Sequence, residues 1–162
     1  MSADIRTQLN EYFGKISVEN IVIIDWCSGK RKAENHINHK NCKIITVDRL
    51  PQRKPTIVAD ICKPITIEQA DMAFLTEALE HCVNDDVALD SVYNNLKDGG
   101  ILIISVPEKC KRHGWTDVGD FRRYNQEQIR ALLEKHKFKI LEYYELRYDK
   151  ADRLGHLLKV QK

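Results

Sequence analysis

A chain of 162 residues that is 43% apolar and 31% charged has the composition of one folded domain, here 1–162, and is not that of a disordered or low-complexity protein. Its formal net charge of +2 is too small to imply nucleic-acid binding through bulk charge. The five cysteines, Cys27, Cys42, Cys62, Cys82 and Cys110, are odd in number and widely spaced, which argues against a disulfide framework or a zinc site and for a reducing compartment.

Taken in chain order, Ala3–Ile16 places Ile5, Leu9, Tyr12, Phe13 and Ile16 at helical spacing and predicts a lead-in amphipathic helix. Ile21–Asp25 is a run of branched apolar residues ending in an acid, the pattern of a strand buried on both faces. The small residues Cys27, Ser28 and Gly29 follow as a tight turn. Lys30–Lys40 reads as a short, weak helix. Lys43–Asp48 is a second buried strand ending in Asp. Arg49–Pro55 holds two prolines and reads as a loop. Thr56–Asp60 is a third strand with an Asp end, and Cys62–Ala70 is a connection. Met72–Thr76 is a fourth strand, with Glu77–Cys82 at its carboxyl end.

Asn84–Leu96 reads as a helix, with Asn84 as N-cap and Asp85 and Asp86 in its first turn, stopped by Asp98-Gly99-Gly100. Ile101–Val106 is a fifth strand, ended by Pro107. Glu108–Arg123 is a polar loop holding Trp115. Asn125 caps a helix running through Lys137. Phe138–Tyr148 and Leu154–Gln161 read as an antiparallel pair joined by Asp149-Lys150-Ala151-Asp152. The fold class that follows is α/β. It is a single Rossmann-like doubly wound sheet, mostly parallel, with a C-terminal antiparallel strand pair and short flanking helices. Parallel strands ending in Asp25, Asp48 and Asp60 put three carboxylates on one edge of the sheet, where open α/β sheets bind ligands.

The stretch Asp71–Cys82, Asp-Met-Ala-Phe-Leu-Thr-Glu-Ala-Leu-Glu-His-Cys, leads into the helix and then Leu96-Lys-Asp-Gly-Gly-Ile-Leu-Ile-Ile-Ser-Val-Pro107. Asp120-Phe-Arg-Arg-Tyr124 and a further helix follow. In this order and spacing the chain resembles the class I S-adenosylmethionine-dependent methyltransferases, in particular the small type 11-like group, from about Ile21 to Val160. The resemblance implies S-adenosylmethionine as cofactor and assigns residues to it. Asp25, Cys27 and Gly29 fall on the first, glycine-rich motif, beside the methionine part of the ligand. Asp48 falls on the acid that accepts from the ribose hydroxyls. Asp60 and Ile61 fall at the adenine, and Thr76 and Glu77 beside the reactive methyl. Where the family commonly has three glycines, the matching positions here are Cys27, Gly29 and Arg31.

Methyl transfer from a sulfonium is an in-line displacement, so alignment and exclusion of water are the main tasks. Glu77, His81, His113 and Tyr124 are the candidate bases for a protonated acceptor. For Glu80-His81 the alternative is a loop-orienting role; Arg122-Arg123-Tyr124 reads either as a site for a substrate phosphate or carboxylate or as structural, with Tyr124 packed under the helix and the arginines paired with Asp117 or Asp120. Arg49, Arg53 and Lys54 read either as a nucleic-acid contact or as a solvated loop. The short connections after Asp48 and Asp60 leave no cap over the site. That favours a protein or nucleic-acid acceptor and allows a homodimer that completes the site. The rival reading is a methyltransferase-fold binding or scaffold module that has lost the cofactor; a nicotinamide-dependent oxidoreductase ranks behind it, because Gly-x-Gly-x-x-Gly is absent. No metal is expected. No apolar segment has membrane-spanning length and no signal-like segment opens the chain, so the expected location is cytoplasmic.

Overall fold

The computed structural model describes residues 5–29, 33–110, 119–147 and 154–162. In chain order the elements are α1 (Ile5–Phe13), β1 (Ser17–Glu19), β2 (Val22–Trp26), β3 (Asn38–Lys40), β4 (Lys43–Asp48), β5 (Ile57–Val58), β6 (Ala70–Thr76), α2 (Asp85–Asn94), β7 (Leu96–Lys109), α3 (Gln126–Lys135), β8 (Lys139–Arg147) and β9 (Leu154–Gln161). Seven strands form one sheet in the order β5-β4-β2-β6-β7-β9-β8. The pairs from β5 to β7 are parallel, and β9 runs antiparallel to both β7 and β8. This is the Rossmann-like arrangement expected from the alternating pattern.

The apolar run of β2 is divided between two cores by strand alternation. Ile24 and Trp26 join the larger core, with α2 and α3 residues such as Leu89 and Leu133. Ile23 joins Leu9 and Phe13 of α1 in the smaller core on the other side. Phe74 and Leu75 of β6 divide the same way, and both are fully buried. Each such side chain contributes about 1.5–3 kcal/mol of burial, which is why the central strands lack polar interruptions until their carboxyl ends.

Three local expectations are corrected. The helix expected over Lys30–Lys40 is absent from its described part: residues 33–36 are turns and Asn38–Lys40 is a strand parallel to β1. Ala33 and Ile37 alone are buried there, too few for a helical stripe. Asn38 instead donates from its backbone N to Ile16 O at 2.9 Å and from Nδ2 to Gly14 O at 3.1 Å. The second correction concerns α2, which stops at Asn94, ahead of the Gly-Gly pair. Buried Asn95 ends it by clamping the incoming segment: its Oδ1 accepts from Ile67 N at 2.8 Å, and its Nδ2 donates to Ile65 O at 2.8 Å. Thirdly, β7 runs through Pro107 to Lys109. Its last pair with β6 is Thr76–Ser105, so Pro107 lies where one side of the strand is an edge, a position that tolerates proline.

Helix α3 begins with a capping box. Asn125 Oδ1 accepts from Gln128 N at 2.8 Å, and Gln128 Oε1 accepts from Asn125 N at 2.9 Å. Asn125→Ala should therefore cost about 1 kcal/mol and lower the thermal midpoint by about 2–4 °C, read by circular dichroism. His136 ties the end of α3 to α2, with Nε2 at 2.7 Å from Asp86 Oδ1 and Nδ1 at 2.8 Å from Asp90 Oδ1. Among the described residues no helix is long and apolar enough to cross a membrane.

Candidate active site

The carboxyl ends of β2, β4, β5 and β6 share one edge of the sheet, and a cleft enclosing about 150 Å³ opens there. Each strand contributes to its wall: Cys27 after β2, Asp48, Arg49 and Leu50 at the end of β4, Asp60, Ile61 and Cys62 after β5, and Glu77, His81 and Cys82 after β6.

The turn after β2 carries two left-handed residues, Cys27 at φ 54° and Gly29 at φ 52°. Glycine adopts this backbone without cost. A cysteine there is strained by about 1–2 kcal/mol, so the fold holds Cys27 in the shape a glycine would take. Two bonds fasten the turn to β4. Ser28 N donates to Val47 O at 3.1 Å, and Gly29 N donates to Asp48 Oδ2 at 2.9 Å. Asp48 Oδ1 accepts from Leu50 N at 2.9 Å. Asp48 therefore clips two backbone segments while facing the cleft, and each carboxylate oxygen keeps a second lone pair. Asp60 is built similarly: its Oδ1 accepts from Cys62 N at 3.0 Å, an Asx-type turn. Ile61 beside it is 4% exposed and joins the core.

At the end of β6 the backbone changes hand at Glu77, φ 49°. Ser105 of β7 stabilises that corner three times, first with its Oγ accepting from Glu77 N at 3.1 Å. Its backbone O accepts from Glu77 N at 3.0 Å, and its hydroxyl donates to Glu77 Oε1 at 3.0 Å. His81 follows in a single turn, Leu79–His81. His81 Nδ1 lies 2.5 Å from Gly119 O. A carbonyl only accepts, so Nδ1 carries the proton and Nε2 is the ring's acceptor. Gly119 has φ 74°, so this carbonyl is presented from a left-handed backbone that glycine adopts without strain.

Glu80 points away from solvent, 3% exposed, and its Oε2 has no hydrogen-bond partner among the described residues. Burial, with the nearby Glu77 charge adding to it, pushes the Glu80 carboxyl well above the usual carboxylate range. Its Oε1 is 3.7 Å from His81 Nε2.

The cleft thus brings together Cys27, Asp48, Asp60, Ile61, Glu77 and His81 of the residues expected from sequence. Gly29 reaches it through its bond to Asp48. Asp25, Thr76 and Tyr124 are not in the wall. Asp25 is 3% exposed on the strand face of Ile23, and Thr76 is 8% exposed opposite Ser105. Tyr124 lies in the larger core, with its hydroxyl donating to Asp85 Oδ2 at 3.0 Å, and burial pushes that phenol up. Arg122 and Arg123 are committed structurally. Arg122 donates to Cys82 O and Val83 O at 2.5 and 3.0 Å, and Arg123 holds Asp120 with both arms of its fork. Lys30, Arg31, His113, Trp115 and Asp117 lie outside the described residues. Sequence reasoning missed Leu50, Cys62 and Cys82 as wall residues and Ser105 as the support of Glu77. No local signal marks them, since strand order alone brings them together. Among the described residues no group of three His, Cys, Asp or Glu side chains is arranged to hold a metal ion.

The comparisons with known proteins agree with this architecture. The family described as Methyltransferase domain matches residues 1–143. A carboxy-S-adenosyl-L-methionine synthase from Citrobacter koseri is 32% identical over 130 residues, covering 61% of this chain and 51% of that protein. The chain therefore spans about half the length of this curated relative. Among solved structures, the 1,6-didemethyltoxoflavin-N1-methyltransferase of Burkholderia thailandensis, crystallised with 1,6-didemethyltoxoflavin and S-adenosylhomocysteine, superposes with a TM-score of 0.70. It is 16% identical, over 98% of this chain and 76% of that one. The N-methyltransferase NodS of Bradyrhizobium japonicum, in complex with S-adenosylhomocysteine, gives a TM-score of 0.67 at 16% identity, over 97% and 85%. With the family match spanning most of its length, this chain belongs to the methyltransferase domain family and has the class I methyltransferase fold.

Proposed function

We propose that the chain transfers a methyl group from S-adenosylmethionine, held in the cleft at the carboxyl edge of the sheet. The observation that carries this reading is the convergence of Asp48 and Asp60, from two different strands, on one cleft that also presents Leu50 and Ile61. Carboxylate acceptors suit sugar hydroxyls, and a flanking apolar surface suits a flat base, so the donor set fits an adenosine. The enclosed volume of about 150 Å³ is smaller than the roughly 300–1,000 Å³ of whole-ligand pockets. We assign it to the adenosine end, with the methionine end running along the turn at Cys27–Gly29. When bound, the cofactor supplies an activated methyl on a sulfonium.

The chain's own part is to bind, orient and accept a proton. Asp48 and the Gly29 amide share one hydrogen bond, so the ribose acceptor and the turn are set as a unit. Ser105 fixes the Glu77 carboxylate through its hydroxyl. The Gly119 carbonyl fixes His81 in the tautomer whose Nε2 accepts a proton. His81 is the proposed base, with Glu77 as the charged group beside the methyl position. Tyr124 is not proposed, because its hydroxyl is spent on Asp85.

For the acceptor, the reading is a macromolecule. The connections Arg49–Thr56 and Ala59–Gln69 carry no α-helix, and the cleft mouth presents Arg49 and Arg53, leaving that edge open to a large, anionic partner. The second reading, a cofactor-free binding module, is favoured by Cys27 standing in a left-handed glycine position. Calorimetric titration with S-adenosylmethionine and with S-adenosylhomocysteine decides between them. Micromolar binding, about −8 kcal/mol, is expected; no heat at millimolar ligand supports the binding module.

A further inference from the structure

Three of the five cysteines meet in the cleft. Cys27, Cys62 and Cys82 come from positions far apart in sequence, yet all three line the same wall. The Cys82 thiol lies beside those of Cys27 and Cys62, and its Sγ donates to Ala78 O at 3.6 Å. The three do not form a metal site. Cys42 and Cys110 lie elsewhere, the first against Val18 and Lys40 carbonyls and the second beside Arg123. Cys82 is 3% exposed, whereas Cys27 is half-buried, at the point where the turn meets the cleft.

A free thiol buried among apolar residues is inert packing. Two thiols in contact, one reachable from a ligand cleft, are a pair that an oxidant can join. We propose that Cys27 and Cys82 form a reversible thiol oxidation site inside the cofactor cleft, and that their disulfide closes the cleft to S-adenosylmethionine. The second half rests on the methyl-transfer reading. The oxidant class is a peroxide. The Cys27 sulfur takes one oxygen from hydrogen peroxide, giving a sulfenic acid and one water. The Cys82 sulfur then displaces hydroxide from it, forming the S–S bond, and the displaced hydroxide leaves with the Cys82 proton as the second water. Two thiols are oxidised and one peroxide is reduced.

The neighbouring Cys27 thiol and burial both raise the Cys82 thiol, which keeps it protonated while the more accessible Cys27 reacts first. Replacing a non-bonded sulfur contact by a covalent bond draws the two walls together by roughly 1–2 Å. In a cleft enclosing only about 150 Å³, that displacement is large. It also moves the Cys27–Gly29 turn, whose Gly29 amide is bonded to Asp48, so the ribose acceptor moves with it.

The experiment treats the full chain with hydrogen peroxide, maps disulfides by non-reducing peptide mass spectrometry, and titrates S-adenosylmethionine before oxidation, after it and after reduction with dithiothreitol. The expected result is loss of two hydrogens, a Cys27–Cys82 linked peptide, and an affinity that falls at least about tenfold and returns on reduction. Cys82→Ala should remove both the link and the peroxide sensitivity. Cys62→Ala, the second variant, should retain them. If the reduced protein binds but the map lacks that link, or shows it with affinity unchanged, the inference is overturned. If the reduced protein does not bind at all, the methyl-transfer reading fails instead, whatever the map shows.

Discussion

Asp48→Ala should lower affinity for S-adenosylmethionine by about 100-fold or more and destabilise the fold as well. The two effects have different origins. Hydrogen bonds to a charged carboxylate are worth about 1.5–3 kcal/mol each, so losing the two ribose contacts proposed for Asp48 gives the binding loss. The folding loss comes from Gly29 N and Leu50 N, both of which donate to this carboxylate at 2.9 Å. Unsatisfied, each costs about 1–3 kcal/mol, with the lower end fitting a group that water reaches through the cleft. Asp48→Asn separates the roles. It keeps one oxygen for one backbone amide and turns an amino group toward the other, so stability recovers only in part. Its amide also removes the negative charge offered to the sugar. Thermal unfolding and calorimetry on both variants provide the check. A variant that is destabilised but binds with unchanged affinity would make Asp48 a structural clip and remove it from the cofactor site.

That double use of Asp48 shows what a sequence can and cannot reveal. An apolar run closing on an acid has few other meanings in a parallel sheet, and Lys43–Asp48 matches to the residue, whereas the strands expected to end at Asp25 and Asp60 end at Trp26 and Val58. The helix caps Asn84 and Asn125 were legible for the same reason, as a polar residue with a defined local partner. Contacts between distant segments were not. Nothing near Ser105 says that its hydroxyl will hold Glu77, because that depends on β6 and β7 pairing in register at Thr76–Ser105. Asn95 looks like a helix residue next to a Gly-Gly stop, and only the arrival of Ile65–Ile67 makes it the terminator. Tyr124 is a candidate base by residue type alone; its hydroxyl is taken by Asp85, 39 residues away. The three thiols of the cleft belong to the same class. Each is an ordinary buried cysteine in its own segment, and their meeting is a property of strand order.

Glu80→Gln should raise stability at neutral and alkaline pH while leaving it nearly unchanged below about pH 4. In the fold this carboxyl is held well above its ordinary value of 4.5, chiefly by burial and then by the Glu77 charge. Arg123 opposes that, but its guanidinium is engaged by Asp120. The folded state therefore keeps a proton that the unfolded chain releases. Below pH 4.5 both states hold it and the stabilising contribution is complete. As pH rises from there toward the folded value, stability falls by up to about 1.4 kcal/mol per pH unit. A glutamine has the same shape and no proton to lose, and the backbone bond from Phe121 N to Glu80 O at 2.8 Å is untouched. The variant's stability profile should be flatter across that window, measured by urea unfolding at a series of pH values. Parallel profiles for the two proteins would show that Glu80 ionises in the fold at its ordinary pH. The distinction matters for the chemistry next door. A Glu80 carboxyl that keeps its proton at 3.7 Å from His81 Nε2 is neither a base nor an ion-pair partner for the imidazole, which is what the roles proposed for His81 and Glu77 require.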